Sequence, residues 1–261
     1  MAKGSRGGQR GTTGSASLQQ ALSQVQPQAQ APEIDDTQVA PDFDKDYNDF
    51  IKMSEDEKVD AISTAIQNGV PNHLSNTDFQ KMIYNLKFND KPQLVDDKTL
   101  DSMTGTEMFR TVNNVYDSKN DLGYSAKEIA KQIQTGSITR TSDNGGSIYG
   151  RGIYFADDYH DSALYGYNTG DVNKTAVIRA KLNSNAKVLS YNTAMSGVRS
   201  EINSGSKLGR LLQNADYDSR PSIFATVKGY NVLDARNGYY VILNRRAVSM
   251  SKNVKAKGSK W

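Results

Sequence analysis

The sequence predicts an α+β protein with a mainly antiparallel sheet and N-terminal helices. Three observations favour this class: helical patterns come early, strand patterns dominate from about residue 106 onward, and the two do not alternate as they do in parallel βαβ folds. With 261 residues, the chain has room for one domain of ordinary size and for less ordered segments at its ends.

Two helices are predicted at the start of the folded region. Ser54 and Glu57 have the spacing of a capping box and begin the first helix. The second helix begins at Ser75 and carries a stripe of apolar residues at helical spacing. Together they predict a helical lead-in over residues 47–105.

The second half of the chain is predicted to be rich in strands. A strand over 107–112 comes first, and Ser125 and Glu128 then begin a helix. Residues 191–220 are polar and poorly patterned, so we expect loops there. Further strands are predicted over residues 148–155, 175–182, 187–191, 222–227, 231–234 and 239–244.

The two ends of the chain are basic, although the formal net charge of the whole is only +3. Residues 1–32 carry three basic and no acidic residues, and residues 251–261 carry four basic and no acidic residues. We expect residues 1–46 to form a disordered arm with an acidic linker, and residues 251–261 to form a disordered basic tail. Such tails contact nucleic-acid phosphates or simply aid solubility.

The composition excludes several kinds of site. The chain has no cysteine, which rules out disulfides, thiolate metal sites and a cysteine nucleophile. Two histidines are too few for a histidine-rich metal site, so no metal is expected. No apolar run is long enough to span a membrane, and the N-terminus lacks the apolar core of a signal peptide. We therefore expect a protein without membrane contact.

The most informative segment runs from residue 146 to 167 and is rich in tyrosine and glycine. Within it, residues 149–155 read Tyr-Gly-Arg-Gly-Ile-Tyr-Phe and alternate in the manner of a strand. Glycines inside a strand often mark a place where a ligand or another backbone comes close. The segment therefore predicts either a ligand-binding strand or a tightly packed one.

A flat slot is predicted beside this strand. Asp157 or Asp158 is expected to cap a following helix, on which Ser162 and Tyr165 share a face. With Tyr154 from the strand, two aromatic rings and a hydroxyl would converge on a slot that suits a flat, positively charged heteroaromatic ring. The alternative is a tyrosine-rich strand and helix that only pack a core.

Residues 150–157 and 162–165 resemble the nicotinamide-binding segment of the poly(ADP-ribose) polymerase-like ADP-ribosyltransferases. That family carries Gly-x-Gly-Ile-Tyr-Phe-Ala-Asp followed closely by Ser-Ala-x-Tyr, and both elements stand here in register. The resemblance implies an ADP-ribosyltransferase-like domain with a split antiparallel sheet over residues 106–250. It also implies that NAD is the substrate.

The same resemblance implies roles for individual residues. Tyr154 and Tyr165 would sandwich the nicotinamide, and Ser162 and Gly152 would hold its carboxamide. Phe155, next to Tyr154, is included in the predicted NAD-binding set.

Arg110 is the predicted anchor for the diphosphate or ribose of NAD. It lies in a strand where polymerase-like enzymes have a histidine followed by a glycine, and where the toxin-like branch of the superfamily has an arginine. The fork of an arginine suits a diphosphate. Thr111 stands at the glycine position and is included in the NAD-binding set. A surface or salt-bridged arginine on a strand is the alternative.

The catalytic glutamate of the family is missing. When the chain is aligned through the Tyr-Val-Ile stretch near its end, Tyr239 occupies the glutamate position. A phenol provides no fixed negative charge at neutral pH. This departure disfavours polymer elongation and leaves mono-ADP-ribosyl transfer, with Arg110, Tyr154 and Tyr239 as the predicted catalytic set. Asp234 and Glu201 are acids that could take the place of the glutamate.

We therefore expect NAD-dependent mono-ADP-ribosyl transfer to a protein or nucleic-acid acceptor. Residues 149–155 and 240–245 also look similar to ADP-ribosyltransferase-like domains of tailed bacteriophages, which implies a bacteriophage protein in the host cytoplasm or in the virion. One alternative is a catalytically degenerate NAD-binding or structural protein of a phage virion. The other is a nucleic-acid-binding protein that acts through its basic ends.

Overall fold

The computed structural model describes residues 43–71, 75–88, 91–117, 122–135, 148–167 and 170–261. Its helices in those ranges are α1 (Phe43–Lys52), α2 (Glu55–Gln67), α3 (Asp78–Asn85), α4 (Asp97–Ser102), α5 (Ala126–Thr135), α6 (Tyr159–Ala163), α7 (Tyr191–Ser204), α8 (Lys207–Asn214) and α9 (Arg220–Val227). Its strands there are β1 (Gln93–Val95), β2 (Glu107–Asn113), β3 (Val115–Asp117), β4 (Leu122–Tyr124), β5 (Ile153–Ala156), β6 (Thr175–Leu182), β7 (Val188–Ser190), β8 (Val232–Asp234), β9 (Tyr239–Ile242) and β10 (Val248–Ala256).

Eight strands form one sheet in the order β1-β10-β6-β2-β5-β9-β8-β7. The two outermost pairs, β1 with β10 and β7 with β8, are parallel, and the five inner pairs are antiparallel. Strands β3 and β4 form a separate ribbon. The predicted α+β class, with a mainly antiparallel sheet and N-terminal helices, is confirmed.

The sheet is nearly divided at its centre. Strand β2 pairs with β6 along seven residues, and β5 pairs with β9 along four. Between β2 and β5, however, the ladder consists of the single pair Phe109↔Ala156. The two strands therefore separate on the Arg110 side of that pair, and we call this gap the split.

Two hydrophobic clusters cover the two faces of the sheet. Helices α2, α7, α8 and α9 pack over β7, β8 and β9 on one face, which also receives the half-buried rings of Tyr154 and Tyr239. Helix α5 packs over β2, β6 and β10 on the other face, where Ile153 and Phe155 are buried. The period-2 alternation of β5 thus sends Tyr154 to one face and its two neighbours to the other.

Local capping signals confirm the predicted starts of three helices. Ser54 and Glu57 form a reciprocal capping box at α2. Ser125 and Glu128 make the same pair of bonds at the start of α5. Asp158 caps α6 by accepting hydrogen bonds from two backbone N–H groups of its first turn. These caps satisfy donors that have no partner within the helix.

The prediction for residues 191–227 was wrong. The segment expected to be loops contains α7 and α8, and the predicted strand over 222–227 lies within α9. Every residue from Pro221 to Val227 is buried, so the apolar side chains surround the helix and leave no helical period to detect. Pro221 fits the first turn of this helix, where its missing N–H removes no bond.

The prediction of a disordered tail over residues 251–261 was also wrong. Strand β10 continues to Ala256 and pairs with β6 through Val254, Lys255 and Ala256. Beyond it, the Trp261 ring lies against Phe109, and the Lys255 ammonium sits 4.4 Å from the centre of that ring. Paired backbone and a packed aromatic ring hold these residues despite their polar composition.

The structure describes the chain from the end of the predicted linker onward. Helix α1 begins at Phe43, inside the predicted linker, and residues 1–42 lie outside the described residues. The lead-in is not a separate layer, because its strand β1 joins the edge of the main sheet. None of the described helices has the length and apolar character needed to cross a membrane.

We expect Trp261→Ala to lower the free energy of unfolding by about 1–2 kcal/mol, because it removes an aromatic contact and a cation–π contact. Urea unfolding followed by circular dichroism measures this change. Lys252→Ala, at an exposed position of β10, is the control and should have little effect. Equal stability of the Trp261→Ala and wild-type proteins would contradict the packed C-terminus.

Candidate functional site

A buried hydrogen bond holds helix α6 against strand β2. The hydroxyls of Thr111 on β2 and Ser162 on α6 lie 2.9 Å apart, and both residues are buried. Two residues predicted for the site, 51 positions apart in the chain, are therefore in direct contact. Ser162, the residue predicted to bind the carboxamide, therefore already has one hydrogen-bond partner in Thr111.

The turn after α6 is held from two sides. Asn113 donates to the carbonyl of Tyr165 and accepts from the N–H of Tyr167, at 2.5 and 2.9 Å. Lys257 donates to the carbonyl of Gly166 at 2.9 Å. The positions of Asn113 and Lys257 were not foreseen from the sequence, because their bonds are to backbone atoms and leave no pattern of side chains.

Tyr165 and Tyr239 meet beside this turn. Their ring centres lie 6.5 Å apart with perpendicular planes. Burial, the neighbouring Tyr165 hydroxyl and the nearby charge of Asp161 raise the pKa of Tyr239 to about 12. Tyr239 is thus a neutral phenol at physiological pH, while Tyr165 keeps 55% of its surface exposed.

Tyr154 is held more tightly than the sequence suggested. Its hydroxyl donates to the carbonyl of Gly150 at 2.6 Å and accepts from the N–H of Tyr149 at 3.1 Å. Burial raises its pKa well above the ordinary value. The ring is half-buried, and the aromatic contact of Tyr165 is with Tyr239. Tyr154 therefore braces the glycine segment as well as facing the site.

Both glycines of the motif are required by packing. A Cβ on Gly152 would lie 2.6 Å from a methyl of Val241 and 2.8 Å from the carbonyl of Ile242. Gly150 has φ +101°, and a Cβ there would lie 2.7 Å from the Ser222 hydroxyl. A glycine in a strand marks the close approach of either a ligand or another backbone, and the backbone of Ile242 accounts for Gly152.

Phe155 does not take the predicted place. Its side chain is 1% exposed and lies in the cluster beneath α5, on the face opposite Tyr154. The ring belongs to the core, because successive side chains of a strand point to opposite faces. Its inclusion among the NAD-binding residues is corrected accordingly.

Arg110 reaches into the split. Strand alternation places it on the face of Met108 and Val112, and its Nη1 donates to the carbonyl of Tyr154 at 2.8 Å. Its Nε is buried without a hydrogen-bond partner, and none of the described carboxylates forms an ion pair with it. Burial lowers the pKa of Arg110 to about 10, which still leaves it charged at neutral pH. The split thus contains a positive charge that no described acid neutralises.

The segment between the two glycines is tied to α9 and the turn before it. Ser222 donates to the carbonyl of Arg151 at 2.7 Å, and the Arg151 guanidinium lies 3.3 Å from the carboxylate of Asp218. The ring of Tyr149 meets that of Tyr191 edge-on at 5.3 Å. These contacts fix the backbone at one wall of the site.

The two acids considered as replacements for the missing glutamate have structural roles. Glu201 lies on α7, where its carboxylate accepts from Ser206 and pairs with Lys228 at 3.0 Å. Asp234 ends β8 and accepts from the N–H of Arg236 at 3.0 Å. Neither carboxylate is directed at the Tyr165–Tyr239 contact by any of these bonds. Among the described residues, no group of acids and histidines has a metal-binding arrangement.

The chain has no match among protein-family models, curated proteins or solved structures. Its candidate site therefore rests on geometry: Thr111, Ser162, Tyr165 and Tyr239 lie together, and Arg110, whose side chain starts from the opposite face of β2, reaches the carbonyl of Tyr154 in the split. An exposed aromatic ring, hydroxyl groups and an unneutralised cation suit a ligand that combines a flat ring with anionic groups.

A double-mutant cycle tests the bond that docks α6. Thr111→Val and Ser162→Ala should each destabilise the protein by about 1–3 kcal/mol, because each leaves a buried hydroxyl without its partner. The double variant should lose less than the sum of the two, since it leaves no orphaned group. Urea unfolding measures all three values, and strictly additive losses would contradict a direct bond.

The raised pKa of Tyr239 predicts a loss of stability in alkali. The folded protein keeps the phenol proton that the unfolded chain releases at the ordinary value of 10.0, so this stabilisation is complete below that pH and is lost as the pH rises toward 12. Tyr239→Phe should reduce the fall in the free energy of unfolding across this window. Tyr167→Phe, at a site that is 85% exposed, is the control, and identical slopes for both variants would refute the assignment.

Proposed function

We propose that this protein binds NAD and transfers a single ADP-ribosyl group to a macromolecular acceptor. The observation that carries the proposal is the convergence of Thr111 from β2, Tyr239 from β9, and Ser162 and Tyr165 from α6 and the turn after it. A chain in which the tyrosine motif only packed a core would not need to expose Tyr165, which keeps more than half of its surface in solvent.

The nicotinamide ring would lie against the exposed face of Tyr165, with Tyr154 on the opposite wall. The Ser162 hydroxyl would hold the carboxamide while Thr111 keeps the serine in place. Arg110 fits an anionic group, because its charge has no acidic partner among the described residues and its Nε lacks an acceptor. A diphosphate in the split would supply both a negative charge for the guanidinium and an acceptor for its Nε.

The neutral Tyr239 limits the chemistry. Cleavage of the bond between nicotinamide and ribose develops positive charge on the sugar, and a neutral phenol stabilises that charge weakly. Tyr239 instead places a neutral hydroxyl beside Tyr165, whose ring it contacts edge-on. This arrangement supports transfer to one acceptor and gives no support to polymer elongation.

Incubation with NAD labelled on its adenosine side tests the proposal directly. The purified protein, NAD and a cell extract should yield labelled macromolecules together with free nicotinamide. Label that resists nuclease and yields to protease identifies a protein acceptor, and the reverse identifies a nucleic acid. Release of nicotinamide without transfer would indicate an NAD hydrolase and contradict transfer.

Binding can be measured separately from turnover. Tyr165→Ala should weaken NAD binding about fivefold or more, because stacking contributes ~1 kcal/mol. Tyr167→Ala removes an equally large ring two positions away and serves as the matched control. Calorimetric titration gives both constants, and unchanged affinity of the Tyr165→Ala variant would refute the nicotinamide position.

A second function is favoured by the neutral phenol at the glutamate position. A protein that has kept the NAD site and lost the chemistry would bind NAD with the same dependence on Tyr165 and would release no nicotinamide. The two functions therefore share the binding result and differ only in turnover.

A further inference from the structure

Residues 157–165 run alongside the start of β9. At one end, the N–H of Asp157 donates to the carbonyl of Gly238 at 2.7 Å, and Gly238 packs directly against the Asp157 carboxylate. At the other end, the ring of Tyr165 meets that of Tyr239. In the sequence, Asp161 lies midway between Asp157 and Tyr165 and one position before Ser162.

The carboxylate of Asp161 is not used by the fold. Asp158 caps α6, whereas the side chain of Asp161 forms no hydrogen bond or ion pair with any described residue. Asp161 is half-buried, and its charge contributes to the raised pKa of Tyr239, so it lies within electrostatic reach of that hydroxyl. A half-buried carboxylate that has no partner among the described residues is available to a bound ligand.

We propose that Asp161 is the catalytic carboxylate of this site and stabilises the ribosyl cation that Tyr239 cannot stabilise. This inference rests on the proposed ADP-ribosyl transfer. Ser162 and Asp161 are consecutive, so the residue that holds the carboxamide and the residue that faces the ribose would be set by the same turn of α6. The sequence therefore already contained an acid next to the predicted site, in the position directly before Ser162.

The proposed step breaks the bond between C1′ of the ribose and the nicotinamide nitrogen, and the electron pair leaves with the nicotinamide. The Asp161 carboxylate stabilises the positive charge that develops on C1′ and the ring oxygen. An acceptor hydroxyl, amine or carboxylate then donates an electron pair to C1′. Where the acceptor carries a proton, Asp161 takes it and passes it to water.

Asp161→Asn tests the assignment, because it keeps the size of the side chain and removes its charge. We expect nicotinamide release to fall by roughly 100-fold or more, as for removal of one electrostatic stabiliser, while the Kd for NAD changes less than twofold. Asp161→Glu should restore part of the rate. Asp158→Asn is the matched control: it removes one acid from the same segment and preserves a side chain that caps helices well.

Chemical rescue separates catalysis from structure. Asp161→Ala should regain nicotinamide release in sodium formate, whose carboxylate fits the vacated space, whereas Ser162→Ala should not. Recovery that depends on formate concentration would support Asp161 as the charged group. No recovery, together with weakened NAD binding, would assign Asp161 a structural role and overturn the proposal.

The remaining outcomes distinguish the two proposals. If Asp161→Asn keeps more than half of the wild-type rate, Asp161 is not the catalytic carboxylate and the proposed transfer stands. If the wild-type protein binds NAD and releases no nicotinamide, the binding site stands and the catalytic assignment is overturned. If the wild-type protein binds no NAD, the proposed function itself is refuted.

Discussion

The single backbone pair between β2 and β5 is the constraint on which the candidate site depends. A continuous antiparallel ladder would bond the carbonyl of Tyr154 to β2 and close the sheet at this point. Here the strands separate after Phe109↔Ala156, so that carbonyl needs another donor, and Arg110 provides it at 2.8 Å. The split thus leaves a guanidinium that none of the described acids neutralises.

Helix α6 compensates for the missing ladder. It is only five residues long and has little stability of its own, so its position comes from contacts with the two halves of the sheet. Ser162 ties it to β2, and the backbone of Asp157 ties its start to the loop before β9. The C-terminal segment adds a third tie through Lys257. A short helix held in this way places consecutive side chains with little freedom.

The sequence predicted elements with local signals well and failed where the signal is tertiary. The caps at Ser54, Ser125 and Asp158 are local hydrogen bonds, and all three mark the starts of helices. The strand predicted over 175–182 coincides with β6. By contrast, α9 is buried on all sides, and the polar residues after Ser251 are ordered by pairing with β6, which no local pattern records. Within the candidate site, the sequence predicted that Ser162 and Tyr165 lie close together. It did not predict that the Phe155 ring is buried in the core.

In the proposed ADP-ribosyl transfer, Tyr239 provides no negative charge at its position in the chain, but the proposed chemistry requires that charge only at one position in space. The strength of an interaction between charges depends on their separation and on the surrounding dielectric. A carboxylate on the neighbouring turn of α6 meets that requirement if it is close to the ribose and shielded from water. Two such sites are therefore better compared by the electrostatic field at the ribose than by the residue at one aligned position.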